Sequence, residues 1–116
     1  MKTLNVLILS LSFFVTFSQT TAIADVNFEQ VLINLGYDSG VPDGMVTTSN
    51  INTVVTLDIS GSNITDLSGI EDCVLIEELV CRDNALTSLD LSQNTSLKTL
   101  ICSQNSITSL DMTQNT

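Results

Sequence analysis

The side chains with which this chain could do chemistry are thirteen carboxylates and three cysteines, and the sequence contains no histidine. Without histidine there is no nucleophile–histidine relay and no zinc site of the mixed cysteine and histidine kind. The closest carboxylates are neighbours in sequence, Glu71 with Asp72 and Glu77 with Glu78. Neighbours on an extended segment point to opposite faces, so neither pair has the geometry of an acid–base couple. The sequence therefore predicts no enzyme activity, no catalytic residues and no cofactor.

A loop near the start of the chain has some of the ligands of a calcium site. Asp38, Asp43 and Gly44 are spaced loosely like the acidic residues and the glycine of a calcium-binding loop. The order that such a loop requires fails at Gly40 and Pro42. We therefore expect an ordinary turn here, and no bound metal.

A repeat in the second half of the chain must position any functional side chain. Residues 76–95 align with residues 97–116 at a shift of 21, and ten of the twenty positions are identical. Repetition at such a period is typical of solenoids, in which each repeat forms one coil. The shared pattern L-x-x-L-x-C-x-x-N-x-L begins at Ile76 and again at Leu97, and an earlier copy begins at Val54, 22 residues before Ile76.

Each of the two later coils has two similar sides, because a shorter unit, L-x-[apolar]-x-x-N, occurs twice in it. Apolar residues at a period of two predict short extended segments with these side chains turned inward. The asparagine that ends each unit can hydrogen-bond backbone groups at a turn. We expect a flattened coil with a parallel sheet on one side and a weaker extended ladder on the other. Two asparagine ladders should join the coils, Asn84 with Asn105 and Asn94 with Asn115.

The same stacking explains the cysteines. Cys81 and Cys102 occupy equivalent inward positions, where a small apolar side chain is wanted, and Cys73 lies where the preceding coil closes. The alternatives are a disulfide or a metal site. A bridge between Cys81 and Cys102 would join neighbouring strands whose side chains point the same way, a geometry that rarely suits the bond. Buried free thiols are therefore expected.

The repeats resemble the leucine-rich-repeat family, whose consensus permits cysteine at the sixth place and asparagine or a small polar residue at the ninth. Residues 64–70 (ITDLSGI) resemble the 22-residue repeat of internalin-type proteins. The first copy departs from the pattern, with Ser62 at the asparagine place and Asn63 one step late, so its turn is expected to close differently. The resemblance implies an α/β solenoid, a right-handed coil with short parallel strands, preceded by an N-terminal capping helix.

Residues 25–50 have the composition of such a cap. An apolar stripe follows one helical face, with Asp25 or Asn27 able to cap its start and Gly36 its end. The stripe consists of Phe28, Val31, Leu32 and Leu35. Residues 27–33 (NFEQVLI) and 35–38 (LGYD) resemble the helix that precedes leucine-rich repeats in secreted proteins of Bacteroidota. A helix laid across the first coil would cover its apolar edge.

Residues 1–24 are typical of a cleaved export signal. Lys2 is followed by an apolar stretch over residues 4–15, and Ala22-Ile23-Ala24 has the small-x-small pattern that signal peptidase recognises. The alternative is a membrane anchor, but polar residues interrupt the stretch, which is shorter than the roughly 20 residues that a spanning helix needs. The predicted domains are a signal peptide (1–24), a helical cap with its entry loop (25–50) and repeats (51–116). No membrane insertion is expected after cleavage.

The candidate binding face is the outward side of the predicted sheet, where residues between the inward positions align across coils. Val80 and Ile101 beside Arg82 form a small apolar spot with a charged neighbour, a combination common at interface centres. The alternative is that these β-branched residues merely favour strands. The aligned sets are Thr56, Glu78 and Thr99; Asp58, Val80 and Ile101; Ser60, Arg82 and Ser103; and Gly61, Asp83 and Gln104.

The net charge of the chain disfavours some classes of binding partner. Three basic residues stand against thirteen acidic ones, a net charge of −10, which repels nucleic acid and anionic membrane surfaces. Such acidity favours solubility outside the cell. The sequence predicts a secreted or cell-surface recognition module for a protein or glycan. The alternative is a structural spacer or stalk within a larger secreted adhesin or hydrolase.

The last coil should have an open edge. The repeat match stops at Thr116, and the pattern shows no capping element after it. A solenoid needs a terminal cap to cover the apolar edge of its last coil. We therefore expect the sequence to be a C-terminally truncated fragment of a protein that continues with further 21-residue coils. We also expect self-association through the uncapped coil.

Overall fold

The computed structural model describes residues 18–116, so the apolar part of the expected leader, residues 4–15, lies outside the described residues. Within them, every helix is too short or too polar to cross a bilayer. The elements in chain order are β1 (Thr20–Ala22), α1 (Val26–Asn34), β2 (Met45–Thr47), α2 (Thr48–Ile51), β3 (Thr56–Asp58), a 3₁₀ turn (Ile70–Asp72), β4 (Glu78–Val80) and β5 (Thr99–Ile101).

The repeats build a parallel sheet in the order β3-β4-β5. Leu57 pairs with Leu79 and Leu79 with Leu100, so equivalent positions of successive copies lie side by side, in the register that the 22- and 21-residue spacings predict. Each strand has three residues, and the rest of the coil carries the chain to the next strand. The pairing continues past the strands, where Ile59 N donates to Val80 O at 2.8 Å. The architecture is a repeat solenoid.

The opposite side of the coil contains no strand within residues 86–93. Leu89 and Leu91 still turn inward, and both are buried. Side chains replace strand pairing here, since Asn94 Nδ2 donates to Ile70 O at 2.8 Å and to Cys73 O at 3.1 Å of the preceding coil. The weaker ladder expected on this side is therefore made by asparagine amides.

Helix α1 begins and ends at the residues that capping chemistry favours. The Asp25 carboxylate accepts from Asn27 N at 2.8 Å and Phe28 N at 3.1 Å, which makes Asp25 the N-cap. At the other end Gly36 is left-handed, with φ 86°, and Tyr37 N donates back to Leu32 O at 2.9 Å. Phe28 and Leu32 are buried in the same core as the repeats.

One position of the predicted stripe is wrong. Leu35 is 48% exposed, because α1 ends at Asn34 and Leu35 already lies in the C-terminal turn. The buried face instead includes a carboxylate, Glu29, which is 1% exposed. Its oxygens accept from Asp43 N at 2.6 Å and Gly44 N at 2.9 Å. Glu29 therefore holds the turn after α1, the loop that loosely resembled a calcium site.

The folded region begins before Asp25, where the sequence placed the start of the cap. Strand β1 pairs antiparallel with β2, with Thr21 opposite Val46. Ile23, which follows β1, is 3% exposed and belongs to the hydrophobic core. Strand β1 was not predicted because residues 22–24 have the local pattern of a cleavage site. A three-residue strand whose partner lies 25 residues away leaves no local pattern in the sequence that would indicate it.

The core is continuous from Ile23 to Leu97 and becomes thinner in the last coil. Leu79 and Cys81 are fully buried, whereas their equivalents Leu100 and Cys102 are half-buried. The difference arises because coil stacking covers each inward side chain on two sides, and within residues 18–116 the last coil has a neighbour on one side only.

Candidate binding face

The predicted face is the outward surface of β3-β4-β5. The central residue of each strand points into the core, so the first and third residues point out. The register places Thr56 beside Glu78 and Thr99, and Asp58 beside Val80 and Ile101. Glu78 and Val80 in the middle strand are half-buried, while Ile101 is 41% exposed. The structure therefore brings these six predicted residues together on one surface.

The turn that follows each strand has a backbone reason for its residue types. Gly61, Asp83 and Gln104 occupy the same place in successive coils, and all three are left-handed, with φ 63°, 57° and 57°. Gly61 N donates to Arg82 O at 3.1 Å, and Asp83 N to Ser103 O at 3.0 Å. Glycine and aspartate tolerate this conformation better than most residues, which explains Gly61 and Asp83 but not Gln104. Asp83 and Gln104 thus serve the turn, and Arg82 is the basic side chain that the face presents.

Arg82 is the one basic residue among the candidate face residues, beside the carboxylates of Asp58 and Glu78. Hydrogen bonds from the Ser60 side chain (2.6 Å) and backbone (3.0 Å) lower the pKa of Asp58 most, and the nearby Arg82 guanidinium lowers it further. Arg82 Nε also lies 3.8 Å from an Asp83 oxygen, with both side chains exposed. An exposed pair of this kind contributes little stability, so the guanidinium remains available to a partner.

The first asparagine ladder lies behind the face. Asn84 Oδ1 accepts from Ser62 N and Ile64 N, both at 3.0 Å, and Asn84 Nδ2 donates to Ile59 O at 2.9 Å and Cys81 O at 3.0 Å. Each asparagine reaches back to the preceding coil.

Asn105 repeats these contacts one coil later. It accepts from Leu86 N at 3.0 Å and donates to Cys81 O at 2.9 Å. In the second ladder Asn115 Nδ2 donates to Leu91 O at 2.8 Å and to Asn94 O at 2.7 Å.

The first turn has no asparagine of its own at the ninth place, and it closes differently, as its departure from the pattern suggested. Ser62 Oγ donates to Ser60 O at 3.0 Å, and Asn63 takes a left-handed conformation with φ 54°. The Asn63 backbone carbonyl accepts a hydrogen bond from Asn27 Nδ2 of α1 at 3.0 Å. The change of pattern therefore coincides with the place where the N-terminal helix contacts the coil.

All three cysteines are free thiols. Burial raises the pKa of Cys73 to about 12, with a further contribution from the carboxylates of Asp72 and Glu71. Burial likewise raises the pKa of Cys81 to about 12, and the neighbouring Cys102 adds to the shift. Cys102 is only half-buried, which differs from the expectation that both stacked cysteines are buried, because no coil covers it within residues 18–116.

A recurring turn, D-x-[ST], was not predicted from the sequence. In each case the aspartate accepts from the backbone and the hydroxyl two residues on, as Asp90 does from Ser92 N at 3.0 Å and Ser92 Oγ at 2.7 Å. These hydrogen bonds lower the pKa of Asp90. The motif repeats visibly in the sequence and could have been found there. It occurs at Asp58-x-Ser60, Asp66-x-Ser68, Asp90-x-Ser92 and Asp111-x-Thr113.

The grooves in the described part of the chain lie away from the centre of the sheet face. One, of about 400 Å³, runs on the opposite side between residues 66–71 and 88–93. A second, lined by residues 102–110, borders the last coil. Residues 18–116 hold no group of three or more side chains suited to a metal ion. The second groove touches the candidate face at Ser103 and Gln104, and neither groove lies at the centre of the sheet.

Known proteins share these repeats. Fifty residues, 43% of the chain, are 41% identical to internalin J of Listeria monocytogenes serotype 4b (strain F2365) and cover 6% of it. The functional domain of internalin J from Listeria monocytogenes, described as including a cysteine ladder, has a TM-score of 0.75 at 34% identity, over 85% of this chain and 22% of that one. An internalin F structure from Listeria monocytogenes strain 4b F2365 has a TM-score of 0.69 at 25% identity, over 78% of this chain and 27% of that one.

Internalin C2 of the same strain shows the fold alone, with a TM-score of 0.65 at 23% identity, over 85% of this chain and 51% of that one. No protein-family profile matches the chain. The repeats are internalin-like leucine-rich repeats, and the chain spans a small part of the internalin J that it matches.

Proposed function

We propose that this chain belongs to a secreted or surface-displayed recognition module that binds a protein or glycan through the face of β3-β4-β5, without catalysis. The observation that carries the proposal is the alignment of Asp58, Val80 and Ile101 across three strands beside Arg82. An apolar centre with a guanidinium at its edge is the composition that interface centres favour.

The shape of the face supports a large partner. A small molecule is usually held in a concave pocket that buries most of its surface. Neither of the grooves described above lies at the centre of the sheet face. A protein or an extended glycan can cover such a surface, and the similarity to internalin repeats agrees with an interaction or adhesion role.

The test pairs two double variants. Val80→Ser with Ile101→Ser removes the apolar centre, and Val74→Ser with Leu75→Ser removes two apolar side chains, 48% and 49% exposed, from the connection before β4. Both chains are applied to a printed glycan array and to a panel of purified cell-surface proteins. We expect a probe bound by the parent chain to lose at least about tenfold in affinity with the first pair only. Equal binding by both variants would contradict the proposed face.

A spacer is the second candidate. The observation that favours it is the low apolar content of the face, where Val80 and Ile101 are the apolar residues among the outward positions of β3, β4 and β5. A spacer would bind no probe of the array or panel, whereas its removal from a larger protein would alter the reach of the neighbouring domains.

A further inference from the structure

Residues 19–23, just before α1, make hydrogen bonds and buried contacts with the rest of the fold that were not predicted. Thr48 N donates to Gln19 O at 2.9 Å, and Ile23 N donates to Gly44 O at 2.9 Å, so the segment is bonded at both ends of β1. Between them the Thr21 hydroxyl donates to Asp72 Oδ2 at 2.6 Å and lies 2.8 Å from Thr48 Oγ1. Thr21 and Ile23 are 4% and 3% exposed.

The first coil is shaped to receive this segment. Gly69 is buried, and a Cβ atom added to it would overlap Ile23 Cδ1 and lie 2.8 Å from Ala22 O. Of the five glycines, the other four would meet nothing within 4 Å. Gly69 therefore lacks a side chain where the segment packs, which ties a residue of the repeats to residues 22–23.

Removal of the leader after Ala24 would discard this part of the fold. The peptidase acts on an unfolded chain, so burial does not protect the bond; the consequence appears in the folded product. Asp72 would lose its hydroxyl partner, β2 its partner strand, and the Gly69 site the Ile23 side chain that fills it.

A second small-x-small pattern lies upstream. Thr16 and Ser18 have the spacing that the pattern at Ala22 and Ala24 has, and the bond after Ser18 follows the apolar stretch of residues 4–15 directly. We propose that signal peptidase cleaves between Ser18 and Gln19, a proposal that rests on the proposed export of the chain. Strand β1 then remains in the mature protein and completes the N-terminal part of the fold.

The first measurement is the N-terminus of the exported product. The full chain with its own leader is expressed in a bacterium, and the protein recovered outside the cytoplasm is identified by peptide mass spectrometry. We expect a sequence that begins Gln-Thr-Thr-Ala-Ile. A product that begins at Asp25 overturns the processing site while leaving export intact. A chain that is never exported overturns the proposed location as well.

The second measurement concerns stability of the exported protein. Ile23→Ala is compared with Val26→Ala, which truncates an apolar side chain that is 61% exposed three residues later. If β1 is retained, Ile23→Ala lowers the melting temperature by at least about 5 °C, and Val26→Ala changes it little. Equal melting temperatures for the Ile23→Ala variant and the parent overturn the proposal, because residue 23 is then absent from the mature fold or contributes nothing to it.

Discussion

At the scale of single residues, asparagine side chains make the hydrogen bonds to backbone groups that other backbone groups make elsewhere. A coil that bends sharply leaves N–H and C=O groups without partners, and these must be satisfied where water is excluded. Asn84 satisfies donors of one coil and acceptors of two. The spacing of asparagine predicted this role, since it recurs in register with the inward leucines. Glu29 was not predictable in the same way, because its partners at Asp43 and Gly44 belong to a turn of no fixed pattern.

Asn84→Ala should lower the free energy of unfolding by about 1–3 kcal/mol, since it leaves several turn groups without partners. Asn50→Ala is the matched control, because Asn50 is exposed on the short helix α2. Chemical denaturation of both variants measures the difference. An Asn84→Ala chain as stable as the control would mean that water replaces the amide at this turn.

The cysteines should differ in reactivity by position in the stack. At pH 8 the pKa of about 12 leaves Cys73 and Cys81 almost entirely protonated, and both are buried. We expect iodoacetamide to label them at least about 100-fold more slowly than in the denatured chain, and Cys102 to label first. Peptide mapping over time provides the measurement. Labelling of Cys81 as fast as Cys102 would contradict the burial of the inner thiol.

At the scale of elements, α1 depends on the coil against which it packs. A helix of nine residues is marginal alone. Asp25 links it to the repeats, since its second oxygen accepts from Thr65 N at 2.8 Å, Thr65 Oγ1 at 2.9 Å and Asp66 N at 3.1 Å. The sequence predicted the helix and its cap from local pattern. It could not predict β1, because that strand is defined by contacts with Val46, Gly69 and Asp72, which are far along the chain.

Asp25 should make stability depend on pH. Burial raises the pKa of Asp25, but hydrogen bonds from Thr65, Phe28 and Asp66 outweigh it, and the net pKa lies below the ordinary value of 3.8. A lowered folded pKa gives stability that is present above the unfolded pKa and lost as the pH falls through the folded one.

The comparison of the parent with Asp25→Asn isolates this contribution, because the change in overall charge with pH is nearly common to both. The substituted side chain would also turn an amide toward the N–H groups of Thr65 and Asp66. We expect a deficit of about 1–3 kcal/mol above pH 5 that shrinks below pH 4. Denaturation at several pH values measures it, and a deficit independent of pH would contradict a role for the charge.

At the scale of the whole molecule, burial falls along the solenoid axis. Ile23 and, in α1, Phe28 and Leu32 belong to the same buried core as the repeats, and inward residues of the middle coils such as Leu79 are fully buried. In the last coil Leu110 is 37% exposed, and Leu100, Ile107 and Met112 are half-buried. β5 has β4 as its single partner among the described strands. The repeat period predicted this gradient, since inward residues at equivalent places differ in burial only through their neighbours.

The exported chain, residues 19–116, should self-associate through this last coil. Apolar side chains and the backbone groups of β5 together form an edge that a second copy can cover. The large excess of acidic over basic residues opposes association, so the dimer should strengthen as added salt screens the repulsion. Sedimentation at low and high salt measures this.

Leu110→Lys should weaken the association at least about tenfold by placing a charge in the apolar edge. Val41→Lys adds the same charge at an apolar residue that is 78% exposed in the loop after α1, and should leave association at the edge unchanged apart from the common effect of charge. Because both variants reduce the net negative charge equally, their difference reports the location of the contact. A chain that stays monomeric at high concentration and high salt would show that the edge of the last coil does not mediate self-association. Equal association by the two lysine variants would place the contact elsewhere on the solenoid.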